Sequence, residues 1–357
     1  MKILFIAGGT GGHVYPALSI SREFKGKENH ISWIGKENSL EEKLCAEEGY
    51  EFYSIQGRGF LGKGLLGKIV SLYFFVLSLV KSSILLIKIR PDFIISTGGY
   101  ISLAPSLIGS LFYPLFIHEQ NSIAGLTNKI LHRFSKISFE AFPDTFNRSN
   151  RKTLFVGNPV RKEIFNFSIQ DKEEDSNFNI LVLGGSQGSM QINDILMNIL
   201  LNCSVPSNWN FLHQSGKLDS KLLKAAYEDS GVHFEIKEFI ENMPEVYKFS
   251  DLIISRSGAM TVSEICAVGK PSVLLPLPWA SDNHQYMNAK YLEDKGAAEI
   301  VGSDISNSEA LFKLLIDLEN DHNRRESMGQ KASLVFPPNT SERICKTINE
   351  SLKIQTK

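Results

Sequence analysis

Two stretches of this chain are built alike. KILFIAGGTGGH opens the sequence at residues 2–13, and NILVLGGSQGS follows at 179–189; in each, a short apolar run leads into a glycine cluster. Such a run suits a strand buried on both faces, the glycines suit the turn at its end, and a helix must follow to cover the sheet. The alternation continues after both starts: HISWIG, DFIIS and YPLFIHE after the first, WNFLHQSG, VHFEIKEFI, DLIISRSG and SVLLPLP after the second. Repeated βαβ units build a parallel sheet, so the chain reads as two α/β halves in succession. Its 357 residues agree with that, since single domains average about 100–200 residues.

The boundary is expected near Val160, giving a first half of residues 1–160 and a second of 161–339. The polar stretch QDKEEDSN at 170–177 reads as a surface loop before the second half's first strand. Near the end, the double proline of VFPPNTSERICKTINESLKI must break a helix, and Thr340 is placed to cap a last one. That helix, within 340–357, is expected to return to the first half.

A formal net charge of -1 gives no global attraction to nucleic acid. Cys45, Cys203, Cys266 and Cys345 are scattered, with no CxxC pair and no histidine at ligand spacing, so neither a disulfide framework nor a zinc site is expected. The N-terminal apolar run stops at the glycines, short of a signal peptide's core, so the chain is expected to stay in the cytoplasm.

The first glycine cluster is not the dinucleotide fingerprint. Read from Gly9, the GxGxxG spacing meets Gly9, Gly11 and then Val14, and Lys36 precedes Glu37 where an acidic residue should end the second strand. No GxxxxGK[ST] loop is present. The second half offers more. GGSQGS can bring backbone N–H groups to a phosphate, and SRSGAMTVSE makes another strand, loop and helix entrance with Arg256 beside it and Glu264 soon after. A carboxylate there can accept both hydroxyls of a ribose, which together with the loops describes a nucleotide-sugar pocket; taken singly, Glu264 reads better as a favourable charge near a helix start, a reading that loses ground beside the glycine loops. Asp282, Asn283, His284 and Gln285 suit either sugar hydroxyls or the capping of the next helix.

Two apolar regions test for a membrane. Between Phe93 and Ile117, Gly98, Gly99, Pro105, Gly109 and Pro114 break any span, so that region is core. From Phe52 to Pro91 there is no acidic residue, and Arg58, Lys63, Lys68, Lys81, Lys88 and Arg90 flank or interrupt IVSLYFFVLSLV. The uncharged run between Lys68 and Lys81 is shorter than the roughly 20 residues a bilayer span takes. It suits an anionic membrane surface, or else a buried helix with solvated lysines at its ends.

Together GGTGGHVYPAL, STGGY, HEQNSIAGLTN, VGNPVR, GGSQGS, SRSGAMTVSE and DNHQYMNA, in order from residue 8 to 289, resemble the motif series of the MurG family. These are the bacterial UDP-N-acetylglucosamine (UDP-GlcNAc) transferases that convert lipid I to lipid II in peptidoglycan synthesis. The resemblance implies the GT-B form of the α/β class, two Rossmann-like domains facing across a cleft. Residues 1–160 would be the acceptor and membrane-associating domain, and 161–339 would bind UDP-GlcNAc. Thr10, Gly11, Gly12 and Asn121 would touch the donor sugar, and Gly98 and Gly99 the acceptor's diphosphate. Arg161 and Ser186 would meet the donor diphosphate and Ile240 the uracil through its backbone. Ala259, Met260, Thr261, Val262, Ser263 and Glu264 would hold diphosphate and ribose, and Gln285 the GlcNAc hydroxyls. Ser189 and the pair Ser96–Thr97 depart slightly from the family pattern.

The implied chemistry is inverting transfer of GlcNAc, with His13 as the general base and Glu119 as the alternative. No cofactor and no protein-bound metal are expected, since no Asp-x-Asp pair is present. The implied partners are UDP-GlcNAc, lipid I, an anionic membrane surface at the cytoplasmic face of the cell membrane and other cell-wall synthesis proteins, and no nucleic acid. A glycolipid glycosyltransferase, a UDP-GlcNAc 2-epimerase and a non-catalytic docking subunit are the rival readings.

Overall fold

The structure is a computed structural model and describes residues 1–26, 28–57, 65–146, 152–165, 177–185, 187–217, 220–279 and 283–353; the side chains of residues 65–69 and 165 lie outside the description. Arg58, Lys63, Ser186 and Asp282, singled out above, lie outside the described residues, as does the Lys68 side chain. The chain forms two compact units, Met1–Val160 with Pro337–Lys357, and Arg161–Phe336.

The first unit contains β1 (Lys2–Ala7), β2 (His30–Gly35), β3 (Glu51–Ser54), β4 (Phe93–Gly98), β5 (Leu115–Glu119), β6 (Ile137–Glu140) and β7 (Thr153–Phe155). They form one sheet in the order β3-β2-β1-β4-β5-β6-β7, every neighbouring pair parallel. Apart from Lys2 and His30, strands β1, β2, β4 and β5 are buried throughout, which is why their sequences are mostly apolar, with buried polar residues gathered at the carboxyl ends of β4 and β5. Alternate residues serve two cores. Ile3, Phe5 and Trp33 pack with Val14 and Ile20 of the helix Gly11–Phe24 and with Ile344 and Ile348 of the helix Thr340–Lys353. Leu4, Ile6 and Ile94 pack with Leu86 and Ile89 of the helix Leu65–Ile89. Burying one such side chain is worth about 1.5–3 kcal/mol. Thr340 does not cap the last helix: its hydroxyl donates to the Val156 carbonyl at 2.7 Å, tying the helix start to the backbone just past β7.

The second unit holds β8 (Phe178–Leu183), β9 (Trp209–Gln214), β10 (His233–Lys237), β11 (Leu252–Ser255), β12 (Ser272–Leu274) and β13 (Glu299–Ile300), all parallel, in the order β10-β9-β8-β11-β12-β13. In both sheets the strand order reverses direction at the first strand, between β1 and β4 and between β8 and β11. Chains leaving those strands diverge to opposite faces, and the crevice at their carboxyl ends is where open α/β sheets bind ligands. The glycine loops lie at both reversals.

The helix Leu65–Ile89 corrects the length argument made from the sequence. It runs unbroken through Lys81, and its stretch Val70–Ile89, 20 residues of mean hydropathy 2.1, is long and apolar enough to cross a membrane. Its faces are inverted for a soluble protein. Ser71, Ser78 and Ser82 are buried, whereas Tyr73, Val76, Leu77, Val80, Ile84 and Ile87 are 41–69% exposed in one stripe. Because Leu86 and Ile89 belong to a core shared with β1 and β4, crossing a bilayer would dismantle the unit.

Candidate active site

The loop after β1 and the loop ending β4 are adjacent because Ala7 pairs with Gly98. Gly9, Gly98 and Gly99 have φ of 109°, 94° and 89°, the left-handed region open to glycine. A Cβ on Gly99 would fall 2.1 Å from the Gly8 carbonyl oxygen and 3.4 Å from the His13 ring, so the two loops meet backbone on backbone. Thr10 precedes the helix Gly11–Phe24 without a side-chain cap, and the first turn has no acidic residue. Its leading N–H groups and positive dipole end therefore have no side-chain cap and no first-turn carboxylate against them, the electrostatics that suit an anion. Gly99→Ala is expected to cost more than about 2 kcal/mol, from strain plus the backbone clash; an unchanged thermal midpoint together with unchanged turnover would refute this account of the loops.

His13, on the first turn, is held from both ends. Its Nδ1 lies 3.0 Å from the Thr97 carbonyl oxygen and 2.9 Å from Gln120 Oε1, and the Thr97 hydroxyl donates to the His13 carbonyl at 2.8 Å. Glu119, at the end of β5, is 1% exposed. Its carboxylate accepts from the Asn121 N–H at 3.0 Å, Asn121 Nδ2 at 3.3 Å, the Gly125 N–H at 3.1 Å and Asn128 Nδ2 at 2.9 Å. A buried carboxylate with four donors organises a loop and is poorly placed to take a substrate proton. Asn121 sits in that loop, whereas Thr10 and Gly12 are exposed at the helix start.

In the second unit, the glycine loop after β8 lies against the loop after β9. A Cβ on Gly188 would sit 2.3 Å from the Ser215 carbonyl oxygen, and one on Gly216 would sit 2.4 Å from the Gly188 Cα. Gln214 links three segments: its Nε2 donates to the Gly185 carbonyl at 2.8 Å and its Oε1 accepts from the Ile240 N–H at 3.0 Å. Ile240 thus has its N–H engaged within the fold. Ser189 caps the helix Met190–Asn202 by accepting from the Ile192 N–H, which gives the serine at this position a use.

The helix Ala259–Val268 starts after Gly258, again without a side-chain cap or a first-turn acid. Val262 and Ser263 point inward: Val262 is fully buried with its N–H on the Gly258 carbonyl, and the Ser263 hydroxyl donates to the Ala259 carbonyl. A contact from that pair would therefore come through backbone atoms; Met260 and Thr261 are partly exposed, and the Glu264 side chain is 13% exposed. Glu264 accepts from Arg161 at 3.1 Å through Oε1 and from the Tyr247 hydroxyl at 3.0 Å through Oε2. Burial pushes its carboxyl up from the usual range, opposed by the Arg161 charge and both hydrogen bonds. Arg256 serves the fold, spanning the Leu275 and Pro276 carbonyls and Gln191. Gln285 Oε1 accepts from the Leu277 N–H at 3.0 Å, and its carbonyl accepts from the Ser257 hydroxyl at 2.8 Å. The Asn283 side chain does not cap the helix His284–Glu293 that follows it.

Known proteins are similar to this chain in architecture and in sequence. The glycosyltransferase family 28 N-terminal domain matches residues 3–139, and the family 28 C-terminal domain matches 179–344. Over 347 residues the chain is 35% identical to the UDP-N-acetylglucosamine–N-acetylmuramyl-(pentapeptide) pyrophosphoryl-undecaprenol N-acetylglucosamine transferase of Shewanella frigidimarina, covering 96% of this chain and 95% of that one. It is 36% identical to the transferase of that name from Stutzerimonas stutzeri, with 96% of each chain covered. The crystal structure of Acinetobacter baumannii MurG superposes with a TM-score of 0.83 at 31% identity, covering 98% of this chain and 99% of that one. The chain belongs to the MurG family.

The MurG assignment and the GT-B class agree with the two parallel sheets. A UDP-GlcNAc 2-epimerase from Neisseria meningitidis, at 17% identity and a TM-score of 0.67 over 98% of this chain and 100% of that one, shares the fold alone. Several residues that organise these loops were given no role by the sequence: Tyr247 against Glu264, Gln214 and Gly216 behind the second glycine loop, and His118 and Gln120 near His13. The QSG ending WNFLHQSG was a visible sign of the loop at 214–216; nothing local marked Tyr247.

Proposed function

We infer that this protein transfers GlcNAc from UDP-GlcNAc to the muramyl 4-hydroxyl of undecaprenyl-diphospho-MurNAc-pentapeptide, lipid I, inverting the anomeric carbon and releasing UDP. The match along 96% of the chain to transferases named for that reaction carries the reading. UDP release should require lipid I; release without it, or conversion of UDP-GlcNAc to its 2-epimer, would overturn the assignment.

In this reading the second unit binds the donor. Glu264 accepts the ribose hydroxyls, Ile240 meets uracil through its carbonyl, and the Gln285 amide meets the sugar. The helix start at Ala259, with Met260, Thr261 and Arg161, faces the diphosphate and steadies the charge that grows on it as UDP leaves. In the first unit, Gly98, Gly99 and the helix start at Gly11 hold the acceptor's diphosphate, and His13 removes the proton from the attacking hydroxyl.

The same reading puts the stripe from Tyr73 to Ile87 on the anionic cytoplasmic leaflet, because an outward apolar face with Lys81 and Lys88 exposed beside it matches that surface. Replacing Lys68, Lys81 and Lys88 by Glu should weaken binding to anionic vesicles by tenfold or more, at about 1 kcal/mol per basic residue. Val80→Asn with Ile84→Asn should weaken binding to neutral vesicles too. Unchanged sedimentation with vesicles in both variants removes the stripe from consideration.

A further inference from the structure

We infer that Gln120 and His118 are positioning residues that hold the His13 imidazole as its Nδ1–H tautomer and so leave Nε2 bare toward the reacting hydroxyl. The inference deepens the reading above and rests on His13 being the base.

The argument starts from which atoms can only accept. His13 Nδ1 faces two oxygens, the Thr97 carbonyl at 3.0 Å and Gln120 Oε1 at 2.9 Å. A carbonyl oxygen accepts, so Nδ1 must carry the proton, provided the Gln120 amide is oriented with its oxygen toward His13. Three contacts fix that orientation. Gln120 Nε2 lies 3.0 Å from the Thr97 carbonyl, 3.0 Å from the His118 carbonyl and 3.1 Å from His118 Nδ1. Turning the amide over would set its oxygen against all three acceptors.

His118 Nδ1 is an acceptor because of the other side of its ring. Nε2 lies 3.0 Å from the Gly157 carbonyl, so it carries the proton and Nδ1 is bare. The ring is fully buried, and burial pushes its pKa down to about 4, which keeps it neutral near pH 7. Donation therefore runs from His13 through Gln120 to His118 and on to the Gly157 carbonyl, with one consistent polarity. Asn158 Nδ2 donates to the Gln120 carbonyl at 3.0 Å and steadies the same strand end.

A histidine in water favours the opposite tautomer, with the proton on Nε2. Here the environment reverses that preference, as the orienting partner of a catalytic imidazole must. In the transfer step the acceptor hydroxyl's proton passes to Nε2, its oxygen bonds the anomeric carbon, and the carbon–oxygen bond to UDP breaks with its electron pair on the diphosphate. The imidazolium then keeps its Nδ1–H on the two oxygens that already hold it.

The test uses full-length enzyme carrying ring-labelled histidine and two-bond proton–nitrogen correlation spectra. The wild type should show His13 protonated at Nδ1 and His118 at Nε2. Gln120→Met should move His13 toward the Nε2–H form and lower kcat about tenfold, with KM for UDP-GlcNAc within twofold. An Nε2–H signal for His13 in the wild type overturns the relay and, with it, Nε2 as the proton acceptor; a Gln120→Met enzyme with unchanged tautomer and kcat overturns the relay and leaves the base assignment standing. Full activity in His13→Ala overturns the base assignment and with it the purpose of the relay. The wild-type spectrum decides even if the Gln120 variant folds poorly.

Discussion

Glu264→Ala should raise KM for UDP-GlcNAc by about 100-fold, because hydrogen bonds to a charged group contribute about 1.5–3 kcal/mol each and the carboxylate has two oxygens to offer a ribose. The structure adds a second reason. Glu264 is the partner of both Arg161 and the buried Tyr247 hydroxyl, so its loss leaves a guanidinium and a phenol without their acceptor at the helix start. Glu264→Gln keeps one oxygen and should fall between the wild type and Ala. KM for lipid I should stay within twofold in both. A donor KM that does not move in the alanine variant would remove Glu264 from ribose recognition.

His13→Ala should lower kcat by about 10²–10⁴-fold, the usual contribution of a positioned acid or base, while UDP binding, which the reading assigns to the second unit, stays as it was. Single-turnover transfer to lipid I with preloaded UDP-GlcNAc measures the chemical step apart from product release. If that step proceeds at the wild-type rate, the proton leaves by another route. Glu119 is a poor substitute, since its carboxylate is occupied by Asn121, Gly125 and Asn128; its replacement should loosen the loop and affect binding and turnover together.

Much of this was legible in the chain. KILFIA and NILVLGG read as buried parallel strands because both sheet faces are covered, and a strand of that kind has no polar alternation to obscure it. Glycines at 98, 99, 184, 185 and 188 stood out because positive φ or close backbone approach leaves few other residues possible. The long helix was harder. Its lysines interrupted the apolar run in one dimension, whereas on a helix with 3.6 residues per turn exposed Lys81 leaves the apolar stripe unbroken.

The sequence by itself determined the class, two α/β halves, the glycine loops that follow their first strands, and the family, because each depends on short-range pattern and on residue types that few backbones tolerate. Tertiary structure alone decided the rest. It set both glycine loops at a reversal of strand order, joined Tyr247 to Glu264 across 17 residues and His118 and Gln120 to His13 across more than 100, and turned serines inward on the helix Leu65–Ile89. The physical reason is one of range. Backbone conformation and strand burial are dictated by neighbours along the chain, whereas the proton a histidine carries and the partner a carboxylate finds depend on hydrogen-bonding atoms that only folding brings within about 3 Å.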